Sequence, residues 1–329
     1  MGERMRIIFM GTGEIALPAL RWLIERQGSG PDGHELVAVY TQPDKPIGRR
    51  QVLTAPETKT LAEAHGIPVR QPENLRGNEE ALGEFAAFRP DLVVVMAYGQ
   101  ILPKAVISSP TLACVNLHAS LLPRHRGASP VQAVIREGDA ESGITLMHIV
   151  PKLDAGDMIL KESIPVLPDD TGGTLHDRIA ILGPRLLERG LPLFRNGLPT
   201  AEPQDEALVT YSGKLLREDG EIDWTLDAAD LERLIRAYHP WPGTTTSVTL
   251  GGERRKLKVH PPAILATLAT GDASPPGTVL ESDTRLVVHC GNGVLALTGD
   301  LQLEGRKRLG AAEFLRGTAI PLGTVLGRW

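Results

Sequence analysis

Short apolar runs alternate with longer stretches in which apolar residues recur every three or four positions, and this alternation fills the first 195 residues. The runs Ile7–Met10, Leu36–Thr41, Leu92–Ala97 and Leu112–His118 predict strands. Residues 16–27, 56–65, 77–88 and 103–108 between them predict helices. "DLVVVMAYG" is apolar without alternation, the pattern of a strand covered on both faces. Strands separated by helices imply βαβ units and a mostly parallel sheet. "GITLMHIV" and "DMILKESIPV" predict two neighbouring strands joined through Pro151–Asp157. A long helix from Thr174 to Phe194 follows, with Leu175, Ile179, Leu182 and Leu186 on one side and a bend at Pro184.

The texture then changes. Residues 196–210 ("NGLPTAEPQDEALVT") are polar, contain proline and lack an apolar period, so they predict a linker. Beyond them one helix is expected near 227–238, with Leu231, Leu234 and Ile235 facing a core. Strands are expected at 244–250, 255–260, 277–281, 285–290 and 294–303, punctuated by Gly-Gly, Pro-Pro and Gly-Asn-Gly. The expectation is an α/β chain: a Rossmann-like, mostly parallel sheet domain over 1–195, then the linker, then a smaller β-barrel domain over 211–329.

Composition narrows the class. At 42% hydrophobic and 23% charged over 329 residues the chain has the makeup of an ordinary globular protein. No apolar run approaches the roughly 18–20 residues that span a bilayer, and the N-terminus enters a strand without a signal-peptide pattern. Two cysteines, Cys114 and Cys290, offer neither a disulfide framework nor a four-thiolate metal site, so a reduced cytoplasmic setting is expected. Residues 208–329 hold 14 basic and 14 acidic side chains, so the net charge of −5 rests on the residues before them. Within that neutral part, basic side chains cluster at Arg254-Arg255-Lys256-Leu257-Lys258 and at Arg306-Lys307-Arg308. A solvated polar face and a backbone-binding nucleic-acid surface both fit such clusters.

Gly11-Thr12-Gly13 after the first strand, with Ala16 three residues on, has the outline of a dinucleotide-binding turn. That site needs an acid at the tip of the second strand to hold the ribose hydroxyls. The strand ends Val39-Tyr40-Thr41, and the next acid, Asp44, sits in the turn-rich "TQPDKP". An NAD site is therefore not expected. Gly11 and Gly13 are assigned instead to a tight strand-to-helix turn and to close approach of the backbone to a ligand.

The richest segment is "ACVNLHASLLPRHRGASP". Asn116 and His118 are two apart at a strand end, which puts both side chains on one face. An amide beside an imidazole at the carboxyl end of a sheet can stabilise an oxyanion formed at an attacked carbonyl. Asp154, in "PKLDAGDMI", is a third group, able to move protons with His118. Taken singly, Asn116 and His118 fit a strand end that satisfies its own backbone, and Asp154-Ala155-Gly156 fits an ordinary turn. His125, in "PRHRG", is expected at the loop surface.

"NLHASLLPRHRGASP", "AYGQILPKAVI", "TQPDKPIGR" and "KLDAGDMI" together closely resemble the methionyl-tRNA formyltransferases, a family of 10-formyltetrahydrofolate-dependent enzymes. The resemblance continues through "DEALVTYSGKL", "EIDWTLDAADLERLIRAYHPWPG" and "GTVL". It implies a formyltransferase catalytic domain over 1–195 and an OB-like tRNA-binding domain over 211–329. It further implies 10-formyltetrahydrofolate as co-substrate, initiator methionyl-tRNA as acceptor, no metal, and a monomer. Asn116, His118 and Asp154 would be the catalytic trio, and Ser120, Leu121, Leu122 and Pro123 would line the folate site. Arg49, with Lys45 and Arg50, would meet the acceptor end of the tRNA from the 41–53 loop. That loop continues Gln51-Val52 where many relatives are more basic. Arg254, Arg255, Lys256, Lys258, Arg306, Lys307 and Arg308 would contact the tRNA backbone. Two other readings keep part of this pattern: a folate-dependent formyltransferase acting on a nucleotide or sugar-nucleotide amine, and a non-catalytic RNA-binding relative.

Overall fold

The four apolar runs expected as strands form the centre of a seven-stranded sheet. In the computed structural model, which describes residues 4–28, 33–48, 50–267 and 274–327, the strands of the first 212 residues run in chain order. They are β1 (Met5–Gly11), β2 (His34–Tyr40), the short pair β3 (Lys45–Ile47) and β4 (Val52–Thr54), β5 (Val69–Arg70), β6 (Leu92–Met96), β7 (Ala113–His118), β8 (Arg126–Gly127), β9 (Glu141–His148), β10 (Met158–Pro165) and β11 (Tyr211–Ser212). The sheet order is β10-β9-β7-β6-β1-β2-β5. β1 is parallel to β2 and β6, and β6 is parallel to β7. Their carboxyl ends, Gly11, Met96 and His118, therefore leave the same edge of the sheet. β9 runs antiparallel to β7, pairing Asn116 with Met147 and His118 with Thr145. β6 is buried at every position, as its unbroken apolar run requires.

The helices of the same stretch are α1 (Leu17–Arg26), α2 (Glu57–Ala64), α3 (Glu79–Ala87), α4 (Lys104–Ile107), α5 (Pro130–Glu137), α6 (Gly172–Ala180) and α7 (Leu182–Gly190). The long helix expected over Thr174–Phe194 is broken at Ile181 rather than bent at Pro184. Proline lacks an amide proton, and its ring crowds the carbonyl four residues earlier, here Ala180, so the break falls one turn before the ring. α5 has no counterpart among the expected helices. Its signals are ordinary ones: Pro130 at the first helical position, Val131, Val134 and Ile135 buried at helical spacing, and Gly138 closing it at φ 73°.

The chain folds as two compact units that are not consecutive in sequence. The first contains Met1–Gly127, Ser142–Ile164 and His176–Ser212; the second contains Ala128–Glu141, Pro165–Leu175 and Gly213–Trp329. Within the second unit α5 packs against α8 (Ala228–Ala237). Arg233 Nε donates to the Arg136 carbonyl, and Arg136 donates to the Tyr238 hydroxyl. Residues 196–210, expected as a linker, fall in the first unit, where Gln204 is buried and β11 pairs with β8.

The rest of the second unit is antiparallel. Its strands are β12 (Thr244–Leu250), β13 (Glu253–Val259), β14 (Ala263–Ala266), β15 (Val279–Ser282), β16 (Leu286–His289), β17 (Val294–Leu297), β18 (Asp300–Leu303) and β19 (Leu309–Gly310), followed by α9 (Ala311–Gly317). They form two four-stranded sheets, β12-β13-β18-β19 and β14-β17-β16-β15. Leu257, Val259, Leu286, Val288, Leu297 and Leu301 share one core with Leu231 and Ile235 of α8. The run expected as one strand over 294–303 is two, split at Gly299, where a Cβ would meet the His260 and Pro261 carbonyl oxygens at 2.3 and 2.4 Å.

Candidate active site

Gly11 owes its identity to packing. A Cβ there would meet the Met96 carbonyl oxygen at 2.8 Å and Phe9 Cε1 at 2.7 Å, so the glycine lets β1 lie close to β6. Gly13 has ordinary extended angles (φ −70°) and precedes a single 3-10 turn. The tip of β2 is tied by hydroxyls: Thr58 Oγ1 donates to Thr41 Oγ1, and Thr41 Oγ1 to Thr12 Oγ1. Asp44 has a different task. It accepts from Lys59 Nζ at 3.0 Å and from Gln71 Nε2 at 2.7 Å, which anchors the base of the β3–β4 hairpin. The Gln71 amide, then Lys59, holds its carboxyl below the usual carboxylate range.

β7 delivers Asn116 and His118 to one face at the carboxyl edge of the sheet. Asn116 is half-buried, and among the described residues its side chain makes no hydrogen bond. His118 is 5% exposed and donates from Nε2 to the His125 carbonyl at 3.0 Å. A carbonyl only accepts, so Nε2 carries the proton and Nδ1 is left for the site. Asp154 Oδ2 lies 3.8 Å from that Nδ1 and accepts from the Gly127 amide at 2.8 Å. The structure thus brings His118 and Asp154 together from segments 36 residues apart. Asp154 holds a left-handed backbone (φ 45°), and a Cβ on Gly156 beside it would stand 1.8 Å from the His148 carbonyl oxygen. His148 is itself held below the ordinary imidazole value by burial, against the pull of Asp157.

The segment Ser120–Pro123 divides in two. Ser120 (0% exposed) donates its hydroxyl to the Arg124 carbonyl, and Leu122 (1%) packs with Met147 and Met158. Leu121 and Pro123 are half-exposed and are the two that a ligand can reach. His125 is not on the loop surface: it is 3% exposed, and its carbonyl fixes the His118 tautomer. Arg126 is fully buried, its Nε on Gln204 Oε1 at 2.9 Å and its amino group on Glu206 at 3.0 Å. Neither Arg126 nor Gln204 was expected at the site.

Arg49 lies outside the described residues; Lys45 and Arg50 are exposed on the β3–β4 hairpin, as are Val52 and Leu53. In the second unit, strand alternation sorts the basic cluster. Arg254, Lys256 and Lys258 stand on the exposed face of β13, opposite Thr249, Ser247 and Thr245 of β12. Arg255 lies on the other face and pairs with Glu253. Arg306 and Lys307 are exposed, while Arg308 binds Asp300 at 2.6 Å. Among the described residues no group of three His, Cys, Asp or Glu is placed to hold a metal, and no helix is long and apolar enough to cross a membrane. Burial pushes the Cys114 thiol up to about 12, which leaves it inert.

Asn116 and His118 share one face at the carboxyl edge of the sheet, with the Asp154 carboxylate 3.8 Å from the imidazole, where an open α/β fold takes its ligand. The formyl transferase family profile matches residues 5–191, and the profile for the formyl transferase C-terminal domain matches residues 214–319; the chain belongs to this family. It is 48% identical over 315 residues to the methionyl-tRNA formyltransferase of Akkermansia muciniphila, covering 95% of this chain and 96% of that one. It is 47% identical over 326 residues to the methionyl-tRNA formyltransferase of Pseudomonas putida (strain GB-1), covering 98% and 100%. Among solved structures, the N-formyltransferase from Helicobacter canadensis, in complex with folinic acid and dTDP-3-aminofucose, shares the fold. Its TM-score is 0.63 at 16% identity, over 89% of this chain and 99% of that one. HypX from Aquifex aeolicus in complex with tetrahydrofolic acid gives a TM-score of 0.57 at 18% identity, over 95% of this chain and 47% of that one.

Proposed function

We propose that the protein transfers the formyl group of 10-formyltetrahydrofolate to the α-amino group of methionine on initiator methionyl-tRNA, giving N-formylmethionyl-tRNA for translation initiation. The likeness to methionyl-tRNA formyltransferases over both family regions carries this reading. A relative acting on a nucleotide or sugar-nucleotide amine fits the sheet domain alone as well, but not the identity that extends through the second unit. We place the reaction in the cytoplasm and assign it to a monomer.

The chemistry follows from the side chains. The folate supplies a formyl carbon that an amine can attack. Asn116 donates to the oxyanion, and His118 joins it from Nδ1 in the imidazolium form, its Nε2 proton staying on the His125 carbonyl. Asp154, fixed by the Gly127 amide beside His118, takes the proton that the attacking nitrogen loses, and N10 is protonated as it leaves. The surfaces of Leu121 and Pro123, with exposed Val150 and Leu153 flanking the Asp154 turn, suit the flat pterin ring.

The deciding assay offers purified protein 10-formyltetrahydrofolate with charged initiator or elongator tRNA. Formylation of the initiator is expected; formylation of a free amino sugar nucleotide or glycinamide ribonucleotide, with the charged tRNA left untouched, overturns the assignment. The hairpin basic residues and the exposed face of β13 then contact tRNA phosphates. Removing Lys256 and Lys258 together is expected to weaken tRNA binding and to reduce the salt slope by about 2, with folate binding unaltered. A slope equal to that of the unmodified protein would take β13 out of the interface.

A further inference from the structure

Residues 202–212 bind both loops of the candidate site. At one end Glu202 exchanges two backbone hydrogen bonds with Met158, each 2.8 Å, just beyond the Asp154 turn. At the other end the Thr210 carbonyl accepts from the Arg126 amide at 2.9 Å, and Thr210 Oγ1 accepts from the His125 amide at 2.8 Å. The close pairing of β11 with β8 demands a glycine at 127, where a Cβ would meet the Ser212 carbonyl oxygen at 2.2 Å. Between these ends lies Gln204, 9% exposed.

Gln204 Nε2 donates to the carbonyls of Asp154 at 2.7 Å and Gly156 at 2.8 Å, while Oε1 accepts from Arg126 Nε at 2.9 Å. The amide orientation is unambiguous, because a guanidinium only donates and carbonyls only accept. One side chain therefore spans the turn that carries the catalytic carboxylate. That turn needs bracing. A left-handed backbone at a residue with a Cβ costs about 1–2 kcal/mol and persists only where its surroundings over-determine it. Arg126 is in turn held by Glu206, which also accepts from Lys152 at 2.9 Å, two residues before Asp154.

We propose that Gln204 is a positioning residue: through its two bonds to the Asp154–Gly156 turn, and anchored by buried Arg126, it sets the direction of the Asp154 carboxylate relative to His118. Residues 202–212 are the brace of the catalytic loops. The proposal rests on Asp154 being the catalytic acid–base group.

The test is steady-state formylation of methionyl-initiator-tRNA by Gln204→Glu and Gln204→Met. The first keeps the acceptor for Arg126 and replaces both donors with an oxygen facing two carbonyls; the second keeps the volume and removes every bond. A 10- to 100-fold loss in kcat is expected for both, with both KM values within about twofold and folate binding retained, because a small misplacement of a reacting group costs on that order. Gln204→Glu placed on Asp154→Asn is expected to add no further loss to the single-turnover rate. Turnover within twofold of normal in the folded variants, a loss seen in KM instead, a further loss in the Asp154→Asn background, or failure of both variants to fold would each overturn the proposal. Asp154→Asn alone separates the two readings: if that variant turns over normally, the catalytic assignment fails, whatever Gln204 does.

Discussion

Asparagine in place of Asp154 is expected to leave a folded protein that binds folate and charged tRNA yet turns over at least about a thousandfold more slowly, the upper range of what a positioned acid–base group contributes. The substitution is nearly isosteric. An amide oxygen can still accept from the Gly127 amide at the position of Oδ2, so the turn keeps its anchor. What disappears is the charge 3.8 Å from His118 Nδ1 and the ability to take a proton from the attacking amine. Single-turnover formylation alongside direct folate binding checks both halves. A rate within tenfold of normal would remove Asp154 from the chemistry.

Gly156→Ala is expected to be the most damaging small change in the first unit. The new Cβ would stand 1.8 Å from the His148 carbonyl oxygen and 2.7 Å from its carbon, and backbone cannot swing aside as a side chain can. Either β9 or the Asp154 turn must shift, at a cost of about 3–5 kcal/mol, among the larger effects of single substitutions. Urea denaturation measures it, and Gly213→Ala is the control. A Cβ on Gly213 meets nothing within 4 Å, so that change is expected to stay within about 0.5 kcal/mol. Equal stability of the two variants would mean that the close approach of the Asp154 turn to β9 is not maintained in solution.

The parts legible in sequence are those written in apolar period or local pairing. The unbroken run Leu92–Met96 gives its strand within a residue, and Asn116-Leu117-His118 gives its shared face directly. α5 was equally visible in principle, from Pro130, Gly138 and three apolar residues at helical spacing, but the basic wording just before it reads as one long loop. The brace was not visible at all. Gln204, through three side-chain bonds, and Thr210, through one, act on distant segments, and such bonds leave no period in the chain. His125 is hidden for the same reason: its contribution is a carbonyl, which every residue has. Charge alone overstates the β13 cluster, and the two-residue alternation of a strand is what separates Arg255 from Arg254, Lys256 and Lys258.

The interleaving of the two units bears on how the protein is made. Helix α5 leaves the ribosome long before α8, its packing partner within the second unit, has been synthesised. At elongation speeds of about 5–20 residues per second the wait is on the order of five to twenty seconds, during which α5 lacks the helix it packs against. Synthesis of this chain thus holds one helix of the second unit in waiting while the first unit is completed, the kind of interval in which unfinished domains are prone to aggregate.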